Sequence, residues 1–236
     1  MATLDEAVTA RYVKGGEHFE VLVDPDKALR IREERDSDIE GALVVEEIFK
    51  HASRGDKASE EGIKKIFGTT DTIKVAEKII KEGEIHLTSE QRRRIQEDKR
   101  KQVVNIIARN AVNPQTGAPH PPARIEKAME EAKMSIDPFK NVDELVGVVM
   151  KAIRPMIPIR FEEIDIAVKI PADYTAKSYG ELQNFGTIIK EGWQKDGAWI
   201  GVVRFPAGLQ NDFYELVNRL TKGEAETRKV KRDGIK

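Results

Sequence analysis

Ser89-Glu90-Gln91-Arg92-Arg93-Arg94-Ile95-Gln96-Glu97-Asp98-Lys99-Arg100-Lys101-Gln102-Val103-Val104-Asn105-Ile106-Ile107 decides how this 236-residue chain is divided. At ~100° per residue, Ile95, Val103, Ile106 and Ile107 share one arc of a helix, while Arg93, Arg94, Arg100 and Lys101 share the opposite arc. The stretch therefore predicts an amphipathic helix of about 20 residues with a basic face. Arg92 and Lys99 fall near the apolar arc. Either the first two turns run beyond the packed helices, or the two stems lie along the arc with their charges directed outward.

Before this helix the chain alternates. Val8-Thr9-Ala10-Arg11-Tyr12-Val13, the turn Lys14-Gly15-Gly16-Glu17 and His18-Phe19-Glu20-Val21-Leu22-Val23 read as a two-stranded hairpin. Asp24 is placed to cap a helix with Pro25 at its first position. Leu43-Val44-Val45 and Glu47-Ile48-Phe49 offer further strand material. Ser59 caps a helix ending at Gly68, and Asp71 caps Thr72 to Glu82, which Gly83 closes. Residues 1–87 are thus a mixed α+β domain.

After the amphipathic helix, Pro121 and Pro122 start a second helix running to about Lys133, and Val142 to Ile153 forms a third. Arg154-Pro155-Met156-Ile157-Pro158 ends this three-helix bundle, because each proline removes a donor and restricts its predecessor. Residues 88–158 are read as the second domain and 159–236 as the third. In the last, strand (Ile159 to Ile170), helix (Tyr174 to Gln183), strand (Thr187 to Trp193), an Asp196-Gly197 turn, strand (Trp199 to Phe205), helix (Leu209 to Leu220) and strand (Glu224 to Val230) give the ferredoxin-like order βαββαβ. The fold class is a multidomain α+β protein.

Composition narrows the chemistry. There is no cysteine, hence no disulfide, no thiolate nucleophile and no cysteine-based zinc site. No run approaches the roughly 18 apolar residues of a membrane span, and no signal-peptide stretch opens the chain, so a cytoplasmic location is expected. The formal net charge of −1 conceals polarity: residues 1–87 hold 14 Lys+Arg against 20 Asp+Glu, residues 88–160 hold 14 against 9, and residues 161–236 hold 12 against 12. The middle third, at net +5 by those counts, is the electrostatic candidate for a polyanion. The 34% charged fraction is compatible with surface ion-pair networks.

The acidic run Glu33, Glu34, Asp36, Asp38 and Glu40 lacks the glycine and terminal glutamate of an EF-hand loop and reads as a solvated loop. His18, His51, His86 and His120 fall in different elements with no i, i+4 pair, so no metal site is assigned. Neither G-x-x-x-x-G-K-[ST] nor G-x-G-x-x-G occurs, and any nucleotide hydrolysis is left to a partner. A carboxylate hydrolase would need a clustered acidic site that the sequence does not display. The chain is read as a non-enzyme without cofactor. Trp193 and Trp199 flank the turn of a hairpin, but the strand lacks the aromatic spacing of an RNA-recognition motif, and packing is the favoured reading. Arg93, Arg94, Arg100 and Lys101 are the stronger candidates for phosphate contact, with Glu90, Glu97 and Asp98 as possible neutralising partners. Lys14, Arg54, Lys57, Lys64 and Lys65 at turns and on a helix of the first segment, and Arg109 and Arg124 near the Asn113-Pro114 loop, complete the candidate RNA contacts.

Three phrases in fixed order carry a resemblance: Phe67-Gly68-Thr69-Thr70-Asp71; Lys81-Glu82-Gly83-Glu84-Ile85-His86-Leu87; and Val112-Asn113-Pro114-Gln115-Thr116-Gly117 followed by Ile125-Glu126-Lys127-Ala128-Met129. Together they resemble the Shwachman-Bodian-Diamond syndrome protein (SBDS) family of ribosome maturation factors. The resemblance implies an N-terminal FYSH-like domain, a three-helix domain and a ferredoxin-like domain. It further implies a monomer that binds the rRNA of the large ribosomal subunit and works with an elongation-factor-2-type GTPase to release the anti-association factor, initiation factor 6. Lys14 and Arg54 match basic positions of the family's first domain. Glu17-His18 stands where eukaryotic members carry a basic pair, and Gly117-Ala118-Pro119 lacks their basic residues, which resembles the archaeal type. The alternative is an accessory RNA-binding module in RNA processing, exosome-linked, recognising free single-stranded RNA.

Overall fold

The computed structural model describes residues 3–4 and 6–230. The chain divides into two compact units, the first running to Lys99 and including Asp137–Asn141, the second made of Arg100–Ile136 and Val142 onward.

In the first unit β1 (Val8–Lys14) and β2 (Glu17–Val23) form the expected hairpin, paired from Val8 opposite Val23 to Lys14 opposite Glu17. α1 (Pro25–Arg32) starts where the Asp24 carboxylate accepts from the N–H groups of Asp26 and Lys27. There follow α2 (Ile39–Ala42), β3 (Phe49–His51), one 3₁₀ turn (Ala52–Arg54), β4 (Asp56–Lys57), α3 (Glu60–Phe67), α4 (Thr72–Glu82) and β5 (Glu84–His86). The sheet order is β4-β3-β2-β1-β5, each neighbouring pair antiparallel. Alternation puts Val8 and Ala10 of β1 and Phe19, Val21 and Val23 of β2 on one face, in one core with Ile31, Val75, Ile79 and Ile80 of the helices.

Two sequence expectations change here. Leu43 to Val45 is not a strand: Leu43 makes only an isolated bridge to Val23, and the Val44 N–H donates to the Leu22 carbonyl as the chain leaves α2. The next strand comes later, at Phe49–His51. Gly83 ends α4 in extended backbone rather than as a left-handed cap. Its requirement is proximity, because a Cβ there would lie 2.4 Å from the carbonyl oxygens of both Arg11 and Ile79. Gly68, at φ 76°, is the left-handed cap of α3.

α5 (Ser89–Asn110) supplies residues to both units. In the second unit it is followed by β6 (Ala111–Val112), α6 (Pro122–Glu131) and α7 (Val142–Ile153). Val103, Val104 and Ile107 of α5 share a core with Ile125 and Met129 of α6 and with Leu145, Val149 and Ile153 of α7. The segment expected to be one strand from Ile159 to Ile170 is split into β7 (Arg160–Phe161), paired with β6, and β8 (Glu163–Ile170). The break is held at Glu162, whose N–H donates to the Asn110 carbonyl and whose carbonyl accepts from the Ala207 N–H. α8 (Ala172–Phe185), β9 (Thr187–Trp193), β10 (Trp199–Pro206), α9 (Gln210–Thr221) and β11 (Glu226–Val230) complete the unit. The antiparallel order β11-β8-β10-β9 is that of a ferredoxin-like sheet. Its core joins Ile166, Val168, Trp199, Val203 and Phe205 to Leu182 and Phe213, with the Phe205 and Phe213 rings stacked at 4.6 Å.

Candidate RNA interface

The β1–β2 turn and α3 meet at one end of the first unit. A Cβ on Gly15 would lie 3.8 Å from Ile66 Cδ1, and the Phe67 ring sits 5.4 Å from Tyr12 and 5.0 Å from Phe19. The Phe67-to-Asp71 phrase is therefore structural: Phe67 packs, Gly68 turns the chain, and the Asp71 carboxylate accepts from the N–H groups of Ile73 and Lys74. That packing fixes the base of Lys14 at the end of β1 and of Lys64 and Lys65 on α3, all three exposed.

Arg54 reaches the same end by register. Glu20 stands opposite Phe49 in the antiparallel pair β2–β3, so His51 comes level with His18, their rings 6.4 Å apart. The Ala52–Arg54 turn then lies beside the hairpin tip. It is held by Glu20, a buried carboxylate: Oε2 accepts from the Ala52 N–H at 2.8 Å and Oε1 from Arg11 Nε at 2.7 Å. Sequence reading missed Glu20, although the turn at Lys14–Glu17 already implied its place opposite Arg11. Among the described residues Lys14, Arg54, Lys64 and Lys65 have no ion pair, whereas Lys57 pairs with Glu47.

The basic arc of α5 divides with the units. In the first, Arg93 is exposed and Arg94 donates to both carboxylate oxygens of Asp26, at 2.9 and 2.8 Å, which raises the guanidinium pKa further above its ordinary value. In the second, Arg100 pairs with Glu130 at 3.0 Å, and Lys101 is exposed on the helix. The carboxylates that hold Arg94 and Arg100 are thus Asp26 of α1 and Glu130 of α6.

Lys99 overturns the outward reading of its charge. Its ammonium is buried and donates to Glu33 Oε1 at 2.5 Å and to the carbonyls of Pro138 and Lys140 at 2.7 and 2.6 Å. The same 137–141 segment places the Phe139 ring 5.9 Å from the Arg32 guanidinium and 5.7 Å from that of Arg92. Arg32 also donates to the Ile80 and Gly83 carbonyls at the end of α4, and burial lowers its pKa. These cations are structural; they close helix ends and hold a loop.

Arg109, at the end of α5, and Arg124, on α6, are exposed on either side of the Val112-to-Gly117 phrase. That loop closes on itself. Val112 bridges Pro119, the Asn113 N–H donates to the Ala118 carbonyl, and the Asn113 carboxamide oxygen accepts from the Gln115 N–H at 2.8 Å. Next to it His120 is buried with Nε2 3.0 Å from the Pro158 carbonyl, and burial lowers its pKa. The Arg154-to-Pro158 segment is thus tied to the helices that precede it. No group of three or more potential metal ligands forms among the described residues, and none of the described helices is long and apolar enough to cross a membrane.

Three family models match in succession: the SBDS N-terminal domain over residues 6–93, SBDS protein domain II over 101–162 and the SBDS C-terminal domain over 164–232. The chain is 53% identical over 232 residues to the Ribosome maturation protein SDO1 homolog of Methanothermobacter thermautotrophicus, covering 98% of this chain and 100% of that one. It is 42% identical to the protein of the same name from Aeropyrum pernix, over 92% of this chain and 93% of the relative. Identity to the Ribosome maturation protein SBDS of Dictyostelium discoideum is 29%, over 94% and 81%.

Proposed function

The chain belongs to the Shwachman-Bodian-Diamond syndrome (SBDS) protein family, and on that premise we propose that it is a ribosome maturation factor whose first unit docks on the rRNA of the large subunit. The observation that carries this is the end of the first sheet, where Lys14, Arg54, Lys64 and Lys65 gather without ion pairs among the described residues. The unit is acidic as a whole, so these cations act through local placement rather than net charge. Glu20 and Phe67 hold the turn and the helix that carry them, so little ordering entropy is lost on contact. Arg93, Arg109 and Arg124 are further exposed cations for phosphate, Lys101 is exposed beside them on α5, and Arg94, Arg100 and Lys57 would first exchange a carboxylate partner. In this reading an elongation-factor-2-type GTPase is the partner that hydrolyses nucleotide, and the factor promotes release of initiation factor 6 by binding.

Co-sedimentation with separated large and small subunits and with free RNA, across a salt series and with initiation factor 6 present or absent, tests the proposal. Saturable binding selective for the large subunit is expected. Reversing the charges of Lys14, Arg54, Lys64 and Lys65 should flatten the log–log salt slope by about 3, the value for four lost phosphate contacts. Equal binding to any RNA would replace the proposal by that of an accessory RNA-binding module.

A further inference from the structure

We propose that Glu20 is a positioning residue for RNA: without touching the ligand, its carboxylate sets the direction from which Arg54 meets a phosphate. The inference rests on the reading of the first unit as an RNA-docking surface and deepens it at one point. Strand alternation puts Phe19, Val21 and Val23 of β2 in the core and Glu20 on the other face of the sheet, opposite Arg11 on β1 and Phe49 on β3. The hydrophobic core therefore does not touch the carboxylate. Yet Glu20 is only 4% exposed, a state that costs free energy unless its oxygens are hydrogen-bonded. Each oxygen has a donor: Arg11 Nε for Oε1 at 2.7 Å and the Ala52 N–H for Oε2 at 2.8 Å.

What the second bond holds is the turn that carries Arg54. The 3₁₀ turn Ala52–Arg54 has no buried residue and no side-chain cap of its own. Ala52 fastens it twice, its N–H donating to Glu20 and its carbonyl accepting from the Gly55 N–H at 3.1 Å. Gly55 closes the turn at φ 70°, in the left-handed region, and a Cβ there would meet nothing within 4 Å. Glycine thus serves the backbone angle and not a close neighbour. β4 then returns with Asp56 opposite His51. Arg54 lies between these fixed points, exposed and with no carboxylate partner among the described residues. Releasing the Ala52 N–H loosens the turn without opening the core, and a loose Arg54 has to be ordered at the moment of contact.

The test uses the full-length protein and separated large ribosomal subunits across a salt series, with Glu20→Gln, Arg54→Gln and the double variant. Glutamine leaves one carbonyl oxygen for two donors. The Arg11 guanidinium, being charged, takes it, and the Ala52 N–H is left facing an amide NH₂. Amide exchange is read first: Ala52 should exchange faster in Glu20→Gln while α3 and α4 keep the parent's protection. Affinity should then fall about tenfold, the weight of one charge-assisted hydrogen bond, and the log–log salt slope by about 0.9, the value for one phosphate. The double variant should bind no more weakly than Arg54→Gln alone, because Glu20 acts through Arg54. Gly55→Ala, which strains the same turn from its far end and leaves Glu20 in place, should show the same loss and the same lack of additivity. Losses that add, an unchanged affinity in Glu20→Gln, or protection lost throughout α3 and α4 would overturn the positioning role. A parent protein that does not prefer the large subunit would instead remove the docking reading, and the positioning role with it.

Discussion

Replacing Lys99 by methionine removes a cation that is 9% exposed and leaves three acceptors without their donor: Glu33, itself 8% exposed, and the carbonyls of Pro138 and Lys140. Breaking a buried pair from one side costs about 3–5 kcal/mol, because the remaining charge is stranded. Arg35 Nε, 3.6 Å from the other oxygen of Glu33, offers a distant substitute, which favours the lower end, about 3 kcal/mol. Removing the charge as well, in Lys99→Met with Glu33→Leu, should recover part of the loss. Recovery stays incomplete because two buried carbonyls still lack a donor. Both tryptophans lie in the second unit and would not report the change, so the assay is amide hydrogen exchange over α1 and residues 137–141. A loss of about 3 kcal/mol corresponds to exchange roughly 150-fold faster in those segments. Acceleration below about fivefold, or a double variant no better than the single one, would refute the view that the buried ammonium sustains this network.

Gly83→Ala should destabilise the first unit by more than the usual helix-end substitution, since its Cβ would have to displace backbone of both β1 and α4; a thermal midpoint within 1 °C or so of the parent would contradict that geometry. His120 gives a pH dependence with a defined sign. Its folded pKa lies below the unfolded value of about 6.5, so the unfolded chain takes up the proton first; this contribution to stability is complete above the unfolded pKa and is lost as pH falls through the folded one. Urea unfolding at pH 8 and pH 5.5 should show a decline that His120→Gln reduces, and an identical decline in the variant would assign the effect elsewhere.

Much of the architecture is written locally. Asp24, Ser59 and Asp71 each cap the helix that follows because capping is settled within three residues. The hairpin register follows from its turn, and the βαββαβ order follows from the alternation of periods. What sequence did not disclose depends on remote neighbours. The helical period placed Lys99 beside the apolar arc, but only the arrival of residues 137–141 and Glu33 supplies the acceptors that let its charge be buried. Trp193 and Trp199 look equivalent in a strand pattern; Tyr179 and Glu191 enclose one indole and leave the other open. The short pair β6–β7 has two residues per strand, too few to register as a pattern. Glu20 is legible in its position, since the turn fixes Arg11 as its partner, but not in its burial, because acidic residues in strands are ordinarily solvated.

The self-closed loop from Val112 to Pro119 has a practical corollary. Its ends are clamped by the bridge and by the Asn113–Ala118 hydrogen bond, and the Gln115 contribution comes from its backbone N–H, so the exposed Gln115 side chain carries none of the closure. In a chain without cysteine, Gln115→Cys would introduce a unique thiol on a rigid stalk. A dye attached there would stand between Arg109 and Arg124 and so report directly whether RNA approaches those two cations.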